Sequence, residues 1–445
     1  MAPEESTSLR SETAPSPTPA PSGPAPGTPG TPEPAGAPGA TRAKGLLAVL
    51  MPVGIVLAAL NLRPAITSLG SLLEEVRDGL GMNGTLAGLL TSVPPFCFAL
   101  FGFLAPRLSK RFGAGTVVCG GMIAITAGLV VRPFTGNTAG FLAATVLTLA
   151  GIAVSNVLMP VVVKNWFPDR VGSMTGLYSM ALAIGTSLAA AVTVPLNDAL
   201  GGGWKGGLGI WAVLGAVAVL PWAALSRQGR AAERENAANP APAGPGDALR
   251  VTRSRTAWSL ACFFGLQSTA AYITMGWMPQ IFRDAGISAG TAGVLLAVTM
   301  ALGIPLAFVI PRVAIRLPQQ GPVVIVLGLC GLGGYLGLAL APAGGAWIWA
   351  FLIGISNCAF PLALTMVGLR ARTGPGVVKL SAFAQSTGYL ISIPGPLLVG
   401  ILNDATGGWG VPILFMACLM VPQIVIGTLA GRNRTIEDEH LAKAA

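Results

Sequence analysis

The sequence is poor in the side chains that do chemistry in water. Charged residues make up 10% of 445, against about 25% in a soluble domain, which excludes a set of water-soluble globules. The one histidine is His440, so a His-based triad, a His-ligated metal and a His proton relay each lack their key residue. Acids are missing where they would matter most. Glu74, Glu75, Asp78, Asp198, Asp284 and Asp404 stand at or beyond the ends of the apolar runs described below, none within one. A cation/proton antiporter would need a buried acid to carry the proton. Cys97, Cys119, Cys262, Cys330, Cys358 and Cys418 are isolated in apolar surroundings with no CxxC spacing. They read as small core residues, and no disulfide, metal or cofactor is expected.

What the chain has instead is length without charge. Hydrophobic residues are 53% of it, gathered into twelve runs at 45–70, 84–106, 114–132, 138–163, 171–196, 206–226, 256–281, 289–311, 321–341, 345–369, 378–402 and 408–430. Each is long enough, or nearly so, to cross ~30 Å of hydrocarbon as a helix. Barrel strands would alternate over about ten residues, and these runs do not. The expected fold class is an all-α membrane protein of twelve transmembrane helices. Residues 1–43, rich in proline, read as a disordered tail. Residues 44–226 form a first six-helix bundle, 227–255 an Arg-bearing linker, 256–430 a second bundle and 431–445 a short tail.

Basic residues set the orientation. With both termini in the cytoplasm, the cytoplasmic loops and tails hold 22 of the 27 Lys and Arg. Arg77, Arg132, Lys205 and Arg283 fall outside, and Arg63 lies within span one. That asymmetry is the signature of a multi-pass protein of the plasma (inner) membrane. It accounts for the net charge of +10 without nucleic acid. The expected partners are the lipid bilayer and a small-molecule solute, and the chain is expected to work as a monomer.

The two bundles are repeats. Leu196–Gly202 (LNDALGG) ends span five and Leu402–Gly408 (LNDATGG) ends span eleven. Ser155-Asn156 with Pro160 recurs as Ser356-Asn357 with Pro361, and Arg77-Asp78 recurs as Arg283-Asp284. Pro106-Arg107 with Arg111 recurs as Pro311-Arg312 with Arg316. Parallel six-helix repeats are a transporter architecture, with binding near the midplane between the halves.

The stretch Gly102–Arg111 (GFLAPRLSKR) resembles the loop signature of the major facilitator superfamily, with Pro106 where an acid is usual and Ser109 where Gly is usual. A closer resemblance is to the cyanate permease / 2-nitroimidazole transporter family. It is carried by Asn61–Ser68 (NLRPAITS), Ala87–Thr91 (AGLLT), Gly265–Ser268 (GLQS), Trp277–Gln280 (WMPQ) and Ala285–Ser288 (AGIS). The resemblance implies the major facilitator fold, with helices one, four, seven and ten lining the cavity, and small anionic or nitro-bearing solutes.

Arg63 is the sharpest candidate. An Arg at the bilayer centre costs about 2.5–3.5 kcal/mol on insertion scales and does not escape by deprotonation. Either it faces a water-filled cavity and binds an anion or nitro group with its planar fork, or it snorkels outward or pairs with helix carbonyls as structural glue. Span seven has no basic counterpart, carrying Thr269. Asn61 and Gln267 match in spans one and seven, as do Asn156 and Asn357 in spans four and ten. These amides either ring the solute or hold helices together. Tyr178, Tyr272, Gln385 and Tyr389 either join the pocket or pack in the core. Arg107, Arg111, Arg312 and Arg316 are the gating candidates of the basic loops. Asp198 and Asp404 are those of the opposite mouth, unless they only terminate helices.

The function expected is transport of a small polar solute, anionic or nitro-bearing, by alternating access. The alternative is a multidrug or metabolite exporter of the same fold. An enzyme is not expected, because no titratable cluster is visible at one depth.

Overall fold

The computed structural model describes residues 38–238 and 251–444. The expected disordered tail lies outside the described residues up to position 37, as does the linker at 239–250. The described residues from Leu46 onward group into one compact unit.

Span one is broken. It runs as α1 (Pro38–Asn61) and α2 (Pro64–Ser71), followed by a short α3 (Leu73–Leu80). Spans two to five are α4 (Gly84–Phe112), α5 (Ala114–Val131), α6 (Thr138–Trp166) and α7 (Val171–Ala199). A short α8 (Trp204–Gly209) leads into span six, α9 (Trp211–Ala238). Span seven is α10 (Arg255–Asp284) and span eight is α11 (Ala289–Ala301) with α12 (Gly303–Arg316). Span nine is α13 (Gly321–Leu340), and span ten is α14 (Ala346–Asn357) with α15 (Ala359–Leu369). Span eleven is α16 (Gly374–Ser392) with α17 (Pro394–Thr406), and span twelve is α18 (Gly410–Ala430). A last helix, α19 (Ile436–Ala444), follows within the C-terminal tail.

Ten helical stretches among the described residues are long and apolar enough by themselves to cross a membrane. The two that complete the twelve are α10 and α16–α17. Both are rich in hydroxyl and amide side chains, such as Gln267, Ser268, Thr269 and Thr274 on α10. Most of α10 is buried, so its polar groups face protein rather than lipid.

Each broken span has a proline just after the break. Pro64 follows Leu62–Arg63, Pro305 follows Leu302, Pro361 follows Cys358, and Pro394 follows Ile393. Proline lacks the N–H for the i−4 carbonyl and crowds the preceding turn. Helix starts are capped by short polar side chains: Asn83 accepts from the Leu86 amide, Asn137 from Gly140, Ser254 from Ala257 and Ser288 from Thr291. The repeated LNDAxGG segments end α7 and α17 alike. Gly201 and Gly407 both take positive φ, 97° and 65°, a turn that residues with a Cβ resist.

The halves pack in a two-fold pattern, α4 of the first on α17 of the second and α7 of the first on α11 of the second. These are spans two and eleven, then five and eight, as the repeat requires. At the end of the bundle carrying Glu74 and Asp404, here the acidic end, helix backbones touch. A Cβ at Gly400 would overlap the Gly84 carbonyl, and one at Gly70 would overlap the Met275 carbonyl.

Candidate solute-binding site

Arg63 occupies the break in span one, between α1 and α2. It caps α2 with φ −129° and ψ −27°, and its carbonyl accepts the amides of Ile66 and Thr67. The side chain is partly exposed, whereas every residue from Pro64 to Leu73 is buried. The proline-enforced break therefore sets a guanidinium where the helix interior becomes sealed toward the acidic end.

Aromatic rings surround it. The Arg63 guanidinium carbon lies 5.9 Å from the centroid of Phe98 on α4, and its charge acts on Tyr178, Tyr272 and Tyr389. These are three of the four tyrosines in the chain, drawn from α7, α10 and α16. Phe98 stacks on Tyr389 at 5.0 Å and tilts against Tyr272 at 6.4 Å. Phe264 meets Tyr389 edge-on at 5.1 Å and packs on Phe360 of α15. Among the described residues, no carboxylate pairs with Arg63; the ion pairs seen there belong to Arg283 and Arg372.

The amides divide. Asn61 is buried, and its Nδ2 donates to the carbonyls of Leu57 at 2.8 Å and Leu214 at 3.1 Å, tying span one to span six. Asn156 accepts from the Tyr178 hydroxyl at 3.2 Å, which places it beside the aromatic cluster. Among the described residues, Gln267, 2% exposed, has no partner for its Oε1, and Asn357 Nδ2 has none either, whereas the Tyr272 hydroxyl lies within reach of Arg63. Unpaired buried polar atoms are rare in native proteins, and here two belong to candidate residues on spans seven and ten. Gln385 donates to Ser381 Oγ at 2.8 Å. Toward the acidic end a small pocket is lined by Ala65, Leu69, Thr91, Thr145, Tyr272 and Gly276, from spans one, two, four and seven.

At the acidic end the halves are latched. Arg283 on α10 pairs with Glu74 and with Glu75 of α3, each at 2.9 Å, and Gln280 bridges Glu74 and Asp284. Burial alone would lower the pKa of Arg283, but the hydrogen bond and charge of Glu75, then Glu74 and Asp284, push it up. Asp404 accepts from the Gly84 amide at 2.8 Å, from the Thr85 amide at 2.6 Å and from the Thr85 hydroxyl at 3.0 Å. Its repeat mate Asp198 is exposed, and the corresponding helix start, α11, is capped by its own Ser288. At the opposite, basic end, Arg107 stacks on Phe103 and Arg312 on Phe308, each one turn back on its own helix. Arg111 sits over Phe112 and Arg316 is exposed. Residue types alone did not single out Glu74, Glu75, Gln280 and Arg283 as a latch. The signal was their place at matching ends of spans one and seven.

The Major Facilitator Superfamily profile matches residues 53–377. The chain belongs to that superfamily. It is 35% identical over 388 residues to the uncharacterized transporter YycB of Bacillus subtilis, covering 86% of this chain and 94% of that protein. It is 32% identical over 402 residues to the 2-nitroimidazole transporter of Escherichia coli, covering 89% and 99%. It is also 29% identical over 375 residues to the cyanate transport protein CynX of the same organism, covering 84% and 94%. The crystal structure of the nucleoside transporter NupG superposes with a TM-score of 0.69 at 16% identity, covering 86% of this chain and 98% of that one. That last likeness concerns the fold. The resemblance carried by Asn61–Ser68 and its companion motifs thus leads to the same named relatives, and twelve helices in two repeats fit the superfamily fold.

Proposed function

We propose that this transporter moves a small polar solute, anionic or nitro-bearing, across the inner membrane by alternating access, with Arg63 as the group that holds it. The observation that carries this reading is a guanidinium at a helix break, walled by aromatic rings and paired with no carboxylate. A half-buried guanidinium with no carboxylate partner is free to take an anionic group, and its planar fork suits a planar group with two acceptor oxygens. Gln267 and Asn357 carry buried polar atoms without a hydrogen-bond partner among the described residues, and Asn156, Tyr272, Gln385 and Tyr389 complete the proposed surroundings. Asn61 supports the same helix break from behind. The relatives' names, 2-nitroimidazole and cyanate, are of the same solute class.

The excess of Lys and Arg at the basic end supports a cytoplasmic placement of that end and of both termini. The latched acidic end then faces outward, so this is the outward-closed form. Arg283, Glu74, Glu75 and Asp404 hold it shut, and Arg107, Arg111, Arg312, Arg316 and Asp198 are the groups available to the opposite state.

Proteoliposome uptake of labelled 2-nitroimidazole and cyanate, against a panel of unrelated apolar and cationic drugs, tests the reading. Saturable uptake of the small solutes supports it. Transport of the drugs alone replaces it with the exporter alternative, which the rings of Phe98, Phe264 and Phe360 would also suit.

A further inference from the structure

We propose that Arg132 forms a second oxyanion-binding site, inside the N-terminal half, for a planar group bearing two oxygens such as a carboxylate. Arg132 follows α5 and opens a single 3-10 turn, Arg132–Phe134, packed against α5, α6 and α8. Its position at the end of a span reads as an outward-facing surface charge. The structure instead buries it completely, at 0% exposure.

The arrangement of its nitrogens is specific. Nη1 donates to the Ala65 carbonyl on α2 at 3.3 Å, and the Phe141 ring lies 5.6 Å from the guanidinium carbon. Nε and Nη2 have no partner. Those two nitrogens form one edge of the guanidinium, and their N–H bonds run parallel. This is the edge that grips a carboxylate or a nitrate side-on. The tether through Nη1 therefore leaves the complete two-pronged fork unused.

Among the described residues no carboxylate pairs with Arg132. A buried guanidinium without a counter-charge is costly and stays charged. Close by in sequence on α2, Ser68 is fully buried and its hydroxyl is also unpartnered. Ala65 and Ser68 are three residues apart, which puts them on one helix face. Ser68 thus offers a hydroxyl on the same side of α2 as the tethered carbonyl.

This site differs from that of Arg63 in kind. Arg132, Ala65 and Phe141 all belong to one half, so rocking of the halves leaves the site assembled. Its tether, Ala65, lies two residues beyond Arg63 on the same chain segment.

Thermal unfolding of the purified protein, titrated with formate against chloride at constant ionic strength, tests the site. Formate is a small planar anion with two oxygens. The expected result is a saturable rise in the midpoint that persists in Arg63→Gln and is lost when Arg132→Gln is added to it. In the same background Arg132→Lys keeps the charge but not the fork, and should also lose it. A formate effect absent from folded Arg63→Gln overturns the proposal, whether or not the Arg132 variants fold. An effect that survives in the Arg63→Gln/Arg132→Gln double variant overturns it too. Failure of the Arg63 reading would look different, with the formate response of Arg63→Gln indistinguishable from wild type and solute uptake intact. Added 2-nitroimidazole separates two sources of the occupant in Arg63→Gln: suppression of the formate shift assigns the site to the transported solute, and additivity assigns it to a resident inorganic oxyanion.

Discussion

Asp404, at the end of α17, caps the first turn of α4 in the other half, with its Oδ1 2.8 Å from the Gly84 amide. A carboxylate at a helix N-terminus satisfies orphan amides and complements the helix dipole. Because this cap crosses between the halves, it stabilises only the form closed at the acidic end. Asp404→Ala should cost about 1 kcal/mol, roughly fivefold in the closing equilibrium. Hydrogen exchange of the first-turn amides of α4 should accelerate accordingly. Exchange at the wild-type rate would mean that the cap does not hold the closed form.

The Arg283 bridge to Glu74 and Glu75 should behave as one unit. Arg283→Gln and Glu75→Gln are each expected to destabilise the closed form. The double variant should be less affected than the sum, with a coupling of about 0.5–3 kcal/mol. Unfolding midpoints of the four proteins give the cycle, and strict additivity would contradict the latch.

Close backbone approach makes a steric test. A side chain at Gly400 would collide with the Gly84 carbonyl across the halves. Gly400→Val should place an overpacking cost of about 1–3 kcal/mol on the closed form, and uptake should fall sharply. Gly290→Ala meets nothing within 4 Å and should transport as wild type. Equal uptake by both would remove the contact from the transport cycle.

At the basic end Glu439 of α19 accepts from Ser254 Oγ at 2.7 Å and from Thr256 Oγ1 at 2.6 Å, closing the start of α10. Burial would raise its pKa. The hydrogen bonds from Thr256 and Ser254 outweigh that and hold it below the ordinary value of 4.5. A depressed carboxylate pKa contributes stability that is fully present above the ordinary value and is lost as pH falls through the folded one. Attachment of α19 should therefore be constant from pH 7 down to about 5 and weaken in more acidic solution. In Glu439→Gln that loss should disappear, as hydrogen exchange of 436–444 against pH would show.

The sequence made the helices legible because a helix crossing lipid must be long and apolar, and these are. It made the repeat legible because LNDAxGG needs its glycine for a left-handed turn in both copies. Arg63 was legible as a charge inside an apolar run followed by proline. The latch was harder to see, because Glu74 and Arg283 are separated by some two hundred residues and meet only through packing of the halves. In the sequence Arg132 reads as an orientation charge. Its position at a span end carries no sign that α2, α6 and α8 close over it. Asn61 shows the limit of residue type: an amide in a span needs partners, and these turned out to be the Leu57 and Leu214 carbonyls.

The most direct measurement is proteoliposome uptake of labelled 2-nitroimidazole and cyanate by wild type, Arg63→Lys and Arg63→Ala, each shown to be folded. Loss of uptake in Arg63→Ala and marked weakening in Arg63→Lys, which keeps the charge without the fork, is the expected result. Uptake by Arg63→Ala equal to wild type would contradict the solute site at the break in span one.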